Sequence, residues 1–185
     1  MKKLLLILIG LPGSGKTTAA DFLASQKIPV VRMGQITDEA MQKEKLSFSE
    51  TNENFIRQGL RKKYGDDIYA HLTSSKIKEL FLTNFIVAVD GLRTESEYFH
   101  YLKLFKNLKM LFIESATKWR HQRLKGRRFR SMSEIDTVKR DRWEKKIGLV
   151  KLKKLADYLI ANNNSKKAFQ AELQEILLSI TKPLS

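Results

Sequence analysis

Gly10-Leu11-Pro12-Gly13-Ser14-Gly15-Lys16-Thr17 decides the reading of this sequence. The segment fits G-x-x-x-x-G-K-[ST], a glycine-rich turn whose backbone amides cradle phosphates. An apolar run from Leu4 to Ile9 leads into it and has the length of one fully buried strand. A stretch compatible with a helix follows, from Lys16 to Ser25. Strand, loop and helix in that order set the match apart from a glycine-rich turn in an unrelated α/β protein. The residue types follow from the chemistry. Glycines let the chain curl so that successive amides converge on phosphate oxygens. The helix N-terminus adds unpaired amides and partial positive charge. Lys16 is a mobile point charge able to follow β- and γ-phosphates, and the Thr17 hydroxyl can ligate the magnesium they carry. Gly10, Leu11, Pro12, Gly13, Ser14, Gly15, Lys16, Thr17 and Thr18 are therefore the candidate phosphate contacts.

The chain has 185 residues, enough for one domain with a proper core, and 42% are hydrophobic. It has no cysteine, which excludes a disulfide framework, thiolate catalysis and cysteine metal sites, and suits a reducing cytoplasm. Met1-Lys2-Lys3 before an apolar run mimics a signal peptide. The run is short, and the loop stands where a cleavage site would lie, so we read a buried first strand. No apolar stretch approaches the ~20 residues of a membrane span, and no membrane association is expected. The formal net charge of +15 implies acidic partners such as nucleotides, phosphorylated metabolites or nucleic acid. A basic, solvated surface explains the same number equally well.

Outward from the loop, the pattern alternates strands and helices. Ile28 to Val31 reads as a second strand, with Pro29 at its start. Arg32 and Gly34 leave its carboxyl end, the edge where α/β sheets bind ligands. Residues 34–84 read as three helical segments: Gln35 to Lys45, Ser49 to Tyr64, and one starting near Asp67, read there as an N-cap. This is too much helix for one crossover and reads as an insertion forming a cleft wall. Phe85 to Val89 is a second fully apolar strand. It ends at Asp90-Gly91, where phosphate-loop proteins keep a magnesium-orienting carboxylate. Arg93 follows, and Thr94 to Glu97 is a capping box. Lys109 to Ile113 is a fourth strand, with helices from Thr117 to Lys125 and from Ser133 to about Lys146. Ala156 to Ile160 is the fifth strand, Asn162 to Asn164 a polar turn, and an amphipathic helix starts at Ser165. The three histidines lack zinc-ligand spacing and read as surface or packing residues. This predicts a three-layer α/β/α sandwich with a five-stranded parallel sheet, one domain over residues 1–185.

On these residues the chain resembles the nucleoside and nucleotide kinase branch of phosphate-loop proteins over nearly its whole length. Gly10 to Thr17, Asp90-Gly91-Leu92-Arg93 and the arginine-rich segment 120–130 fall in that branch's order. Within the branch it is similar to an archaeal group called dephospho-CoA kinase-like. The similar stretches are Val30 to Gly34, Val89 to Arg93, Lys139-Arg140-Asp141-Arg142 and Ala156 to Asn162. The resemblance implies a core, a helical substrate-binding wall over about 34–84, and an arginine-bearing lid over about 116–146. It also implies ATP and Mg²⁺ as cofactors and dephospho-CoA as the first acceptor to try. Adenylate kinases usually carry an arginine where Asp38 stands here, which argues against a standard nucleoside monophosphate acceptor.

The expected chemistry is phosphoryl transfer to a small molecule, which needs positioning and charge neutralisation more than covalent help. Lys16 and magnesium, held by Thr17 and Asp90, would act from below. Arg120, Arg123, Arg127, Arg128 and Arg130 would close from above, with Arg123 on the nucleotide and Arg127 and Arg130 on the transferring group. Asp90 could instead accept a proton from a hydroxyl acceptor. Arg32, Gly34, Arg57, Arg61, Gly91 and Arg93 would hold the acceptor. Six of the eleven residues from 120 to 130 are Lys or Arg, so an RNA-associated ATPase or polynucleotide 5′-kinase is the alternative. A nucleotide-binding regulator without turnover is a third reading.

Overall fold

Leu4–Ile9 is buried along its whole length because it lies mid-sheet with helices on both faces. The computed structural model describes residues 2–128 and 131–181. In chain order, β1 (Leu4–Ile9) is followed by α1 (Lys16–Ser25), β2 (Val30–Arg32), α2 (Gly34–Lys43), α3 (Glu50–Tyr64) and α4 (Ile68–Leu80). Then come β3 (Ile86–Asp90), α5 (Glu95–Leu104), β4 (Leu108–Glu114), α6 (Thr117–Lys125) and α7 (Glu134–Glu144). A π-helical turn over Lys145–Leu149 runs into α8 (Val150–Leu155), and β5 (Tyr158–Ala161) and α9 (Lys166–Thr181) complete the fold.

The sheet is wholly parallel, in the order β2-β3-β1-β4-β5. Successive residues of β1 point to opposite layers. Leu5, Ile7 and Ile9 pack with Ile68, Ile77, Tyr101 and Leu152 from α4, α5 and α8. Leu6 and Leu8 pack with Leu23, Phe169 and Leu173 from α1 and α9. This is the three-layer α/β/α sandwich read from the sequence. The connection leaving β1 runs toward β2 and the one leaving its neighbour β4 runs the opposite way toward β5, so the loop after β1 borders a topological switch point, where such sheets bind ligands. The register aligns Asp90 with Leu8 on one side and with Arg32 on the other, so all three end at one edge.

Between β2 and β3, α4 supplies fully buried residues to the first cluster, Ile36 of α2 and Leu60 of α3 pack against it, and Met41 and Ile56 are buried outside it. Strands β2 and β5 both begin later than in the sequence reading, the latter at Tyr158 and not Ala156. β2 begins at Val30, two residues late, because Lys27 takes a left-handed φ of 61° in the turn after α1 and Pro29 brings the sheet only a carbonyl, which accepts from Ala88 N at 2.8 Å. The helix from Ser133 ends close to the expected Lys146, and a second, short helix follows a kink and runs from Val150 to Leu155. Gly148, at φ 136°, lies outside helical geometry and separates the two. Asp67 precedes α4 but makes no side-chain capping bond. Its carboxylate instead pairs with His100 Nδ1 at 3.0 Å, giving that histidine a partner the sequence reading did not supply. Among the described residues, no helix is long and apolar enough to cross a membrane.

Candidate active site

The loop is held open by giving each of its carbonyls a partner on the outside. Lys16 Nζ donates to Gly10 O at 2.5 Å and to Leu11 O at 3.1 Å. Arg120 Nη1 donates to Pro12 O at 3.1 Å and Arg123 Nη1 to Gly13 O at 3.3 Å. Asn162 Nδ2 donates to Ser14 O at 2.8 Å. Within the loop, Ser14 N also donates to Leu11 O at 3.1 Å, so the loop's curl is fixed from inside as well as from α6 and Asn162. Gly13 has φ 76°, and a Cβ there would lie 2.6 Å from Arg120 O, so only glycine lets the loop sit against α6.

Lys16 borders two cavities. One lies over the loop and takes in Gly13, Thr17, Glu50, Arg93, Arg127 and Arg140. The other runs under α3 and brings Arg32, Gly34, Arg57, Asp90, Gly91 and Arg93 together with Arg140 and Glu53. Burial lowers the Lys16 ammonium from its ordinary 10.5 to about 8, against the raising effect of Glu144 and Asp90. Asp90 Oδ1 and Ser14 Oγ are buried with no hydrogen-bond partner. Such orphans suit a ligand oxygen or an ion. A magnesium ion riding on phosphates fits this set, with the Thr17 hydroxyl and the Asp90 carboxylate as protein donors. Among the described residues, no three His, Cys, Asp or Glu gather into a metal site, so the ion would depend on the ligand's own oxygens.

A buried charge network walls the second cavity. Glu144 accepts from Arg93 Nε at 3.0 Å and from Arg140 Nε at 3.1 Å. Burial pushes the Glu144 carboxyl up, but Arg93, Arg140 and Lys16 together outweigh it and hold it at about 2. Glu50 accepts from both Arg57 and Arg140, and Glu53 from Arg57 at 2.8 Å. Burial, then the neighbouring Arg140 charge, lowers Arg57 to about 10. Arg140 is raised despite burial, because Glu144 supports it in addition to the two glutamates it shares with Arg57.

Most of the residues singled out in the sequence meet here. Thr18, Arg123, Arg127 and Arg128 line a third, open cleft beside Gly13 and Thr17. Arg120 corrects the sequence reading. It is not poised to close from above: it is 2% exposed, paired to Asp141 through two bonds of 2.9 and 2.6 Å, and fixed to Pro12. Arg123 likewise spends donors on Gly13 O and Asn162 O. Arg61 stands behind the cavities rather than in them. Its Nη2 donates to the fully buried Glu97 at 2.6 Å, and its guanidinium lies 4.6 Å from the Tyr69 ring centre. Trp143 has both Arg57 and Arg61 at 5.7 Å from its ring centre. Arg130 lies outside the described residues. The sequence reading missed Glu50, Glu53, Arg140, Glu144 and Asn162 as site residues. The i,i+4 pairs Glu53–Arg57 and Arg140–Glu144 were a usable signal for three of them.

Fold and site together define a phosphate-loop protein of the kinase-like α/β class. The structure is similar to that of TT1252 from Thermus thermophilus, with TM-score 0.62, 16% identity, and 98% of this chain and 100% of that one covered. It is also similar to shikimate kinase from Acinetobacter baumannii in complex with shikimate, with TM-score 0.59, 18% identity, and 100% and 97% covered. The chain belongs to the UPF0200 family. It is 32% identical over 181 residues to the UPF0200 protein of Pyrococcus furiosus, covering 96% of this chain and 97% of that one. It is 33% identical over 177 residues to a UPF0200/UPF0201 protein of Archaeoglobus fulgidus, covering 94% of this chain but only 55% of that longer protein. No family model matches the chain.

Proposed function

We propose that the protein is a small-molecule kinase that uses Mg-ATP to phosphorylate a nucleotide-like or phosphorylated metabolite. The observation that carries this reading is that Lys16 borders both cavities, with Arg93, Arg140 and Glu53 common to them. A donor phosphate on the loop and an acceptor under α3 would therefore face each other across one lysine. Bound at the loop, Mg-ATP supplies the transferable phosphoryl group and part of the charge that offsets it. The protein's share is positioning. Lys16 leaves the Gly10 and Leu11 carbonyls for the β- and γ-oxygens. Asp90 and Thr17 would hold the metal, and Asp90 could alternatively take the proton of a hydroxyl acceptor. Arg32, Arg57, Arg93 and Arg140, with Gly34 and Gly91, receive the acceptor. Exposed Arg127 and Arg128, with Arg130 beyond the described residues, serve as the closing arginines.

Dephospho-CoA is the first acceptor to test, on the family resemblance. Shikimate is a second, on the structural likeness, and nucleoside monophosphates a third. The +15 charge favours one rival reading, action on RNA ends. Against it, Arg120 and Arg123 are engaged in holding the loop and do not form a solvated basic patch. An ADP-release screen with Mg-ATP over these acceptors and 5′-hydroxyl RNA, with Lys16→Ala as blank, tests the proposal. We expect one small acceptor to raise ADP release above background in the wild type only. ATP binding without any responsive acceptor would replace the kinase reading with that of a nucleotide-binding regulator.

A further inference from the structure

The Glu50 carboxylate bridges two guanidinium groups from different helices. Its Oε1 accepts from Arg57 Nη2 at 2.5 Å and its Oε2 from Arg140 Nη1 at 2.6 Å. Both arginines face the cavity under α3, with side chains 3% and 12% exposed. Arg57 Nε is buried with no hydrogen-bond partner, so the cationic pair retains a donor that the protein's own carboxylates do not use. Of the three carboxylates on these arginines, Glu50 is the most accessible, at 17% against 11% for Glu53 and 2% for Glu144. It also sits in the first turn of α3, next to the half-exposed Phe48, where backbone can yield most easily.

We propose that Glu50 is an internal stand-in for the anionic group of the acceptor: an oxyanion of the phosphate-monoester or carboxylate type binds between Arg57 and Arg140 as Glu50 swings out. Two buried guanidinium groups stripped of a counter-charge would be costly. Departure of Glu50 is therefore coupled to arrival of the new anion, an exchange rather than a free opening. A neutral acceptor cannot drive the exchange, which makes Glu50 a specificity-determining residue. The proposal rests on the kinase reading only for the word acceptor, since the anion exchange needs neither ATP nor turnover.

The test is calorimetric titration of phosphate, and separately of acetate, without nucleotide. Every protein carries Lys16→Ala, so that the loop contributes little phosphate binding. Glu50→Gln keeps the size of the side chain and removes its charge. We expect phosphate to bind it about tenfold more tightly than the unsubstituted background, the scale of one lost charge-assisted competitor. Glu175→Gln, which removes the same charge from the exposed side of α9, should leave affinity unchanged. Equal phosphate affinity with and without Glu50→Gln, or an equal gain in Glu175→Gln, would overturn the proposal. If acetate gains alongside phosphate the site takes oxyanions in general, and if phosphate alone gains it takes phosphate monoesters. Should Glu50→Gln fail to fold, Glu50→Asp, which keeps the charge but shortens the bridge, must still tighten phosphate binding. A negative ADP screen beside a positive result here would remove the kinase reading and leave the exchange standing, and the converse holds as well.

Discussion

Lys16 donates to two loop carbonyls that it would have to leave on turning to a phosphate, and it does so from a site that already disfavours its charge. Its ammonium titrates near 8 in the free protein because burial outweighs the attraction of Glu144 and Asp90. The sign for stability is unusual. A lysine whose folded pKa lies below its unfolded 10.5 opposes folding below about pH 8, and that penalty fades as pH rises from 8 to 10.5. For ligand binding the sign reverses, since a polyphosphate binds the charged form and raises its pKa. ATP affinity should be flat up to about pH 7 and fall as pH rises through 8, by up to about tenfold per unit. Calorimetry at pH 6.5, 7.5, 8.5 and 9.5 reads this directly, with proton uptake on binding at the two upper values. A pH-independent affinity would remove Lys16 from the binding step. Asn162 yields a second prediction. Asn162→Ala leaves the buried Ser14 carbonyl without its donor, a loss of about 1–3 kcal/mol that should weaken ATP binding more than it lowers the melting temperature. The loop, Lys16 and Asp90 were legible because their chemistry is local to a motif and a strand end. Asn162 was not, because its contact with Ser14 spans 148 residues and three consecutive asparagines offered no basis for choosing one.

Helix α7 presents three consecutive tasks on one turn. Arg140 faces the cavity under α3, Asp141 fixes Arg120 and through it the loop, and Glu144 holds Arg93 at the end of β3. Any rotation of α7 moves all three together. The chain kinks after it at Gly148, on the side of Arg93 O and Glu95 N. A Cβ at Gly148 would sit 3.6 Å from each, an ordinary contact, so the cost of Gly148→Ala is conformational: about 1–3 kcal/mol for a non-glycine residue at φ 136°. Urea denaturation should show that loss, and phosphate affinity in the acceptor cavity should fall with it. A variant that loses stability but keeps its affinity would show that α7 is positioned by its own contacts and not by the turn. Sequence periodicity revealed the helices of this wall but not their division of labour. The capping box at Thr94 was legible, yet Glu97 proved fully buried and takes Arg61 as well, which removes Arg61 from the cavity. A motif that normally sits in water gives no hint of such burial.

At the scale of the whole molecule, α3, α7, the end of β3 and the phosphate loop are joined through one buried set of charges, with Glu144 at its centre. The Glu144 carboxyl is held at about 2 against an ordinary 4.5. A depressed carboxyl stabilises the fold fully above its unfolded pKa and loses that contribution as pH falls through the folded one, so the window is pH 4.5 down to 2. Between two and three units, at about 1.4 kcal/mol each, put the contribution near 3 kcal/mol. Falling pH also adds protonated carboxyls to a chain already at +15, and the resulting repulsion destabilises any variant. Comparison with Glu144→Gln separates the two effects. At pH 7 the variant should be less stable by a few kcal/mol, because Arg93 and Arg140 lose a buried counter-charge. As pH drops from 5 toward 2 the two stability curves should converge, since the wild-type Glu144 becomes neutral as well while the repulsion acts on both proteins alike. Urea titrations at pH 7, 5, 4 and 3 measure the gap. A gap that stays constant over this range would mean that Glu144 already ionises normally, and that the network is held by packing and not by charge.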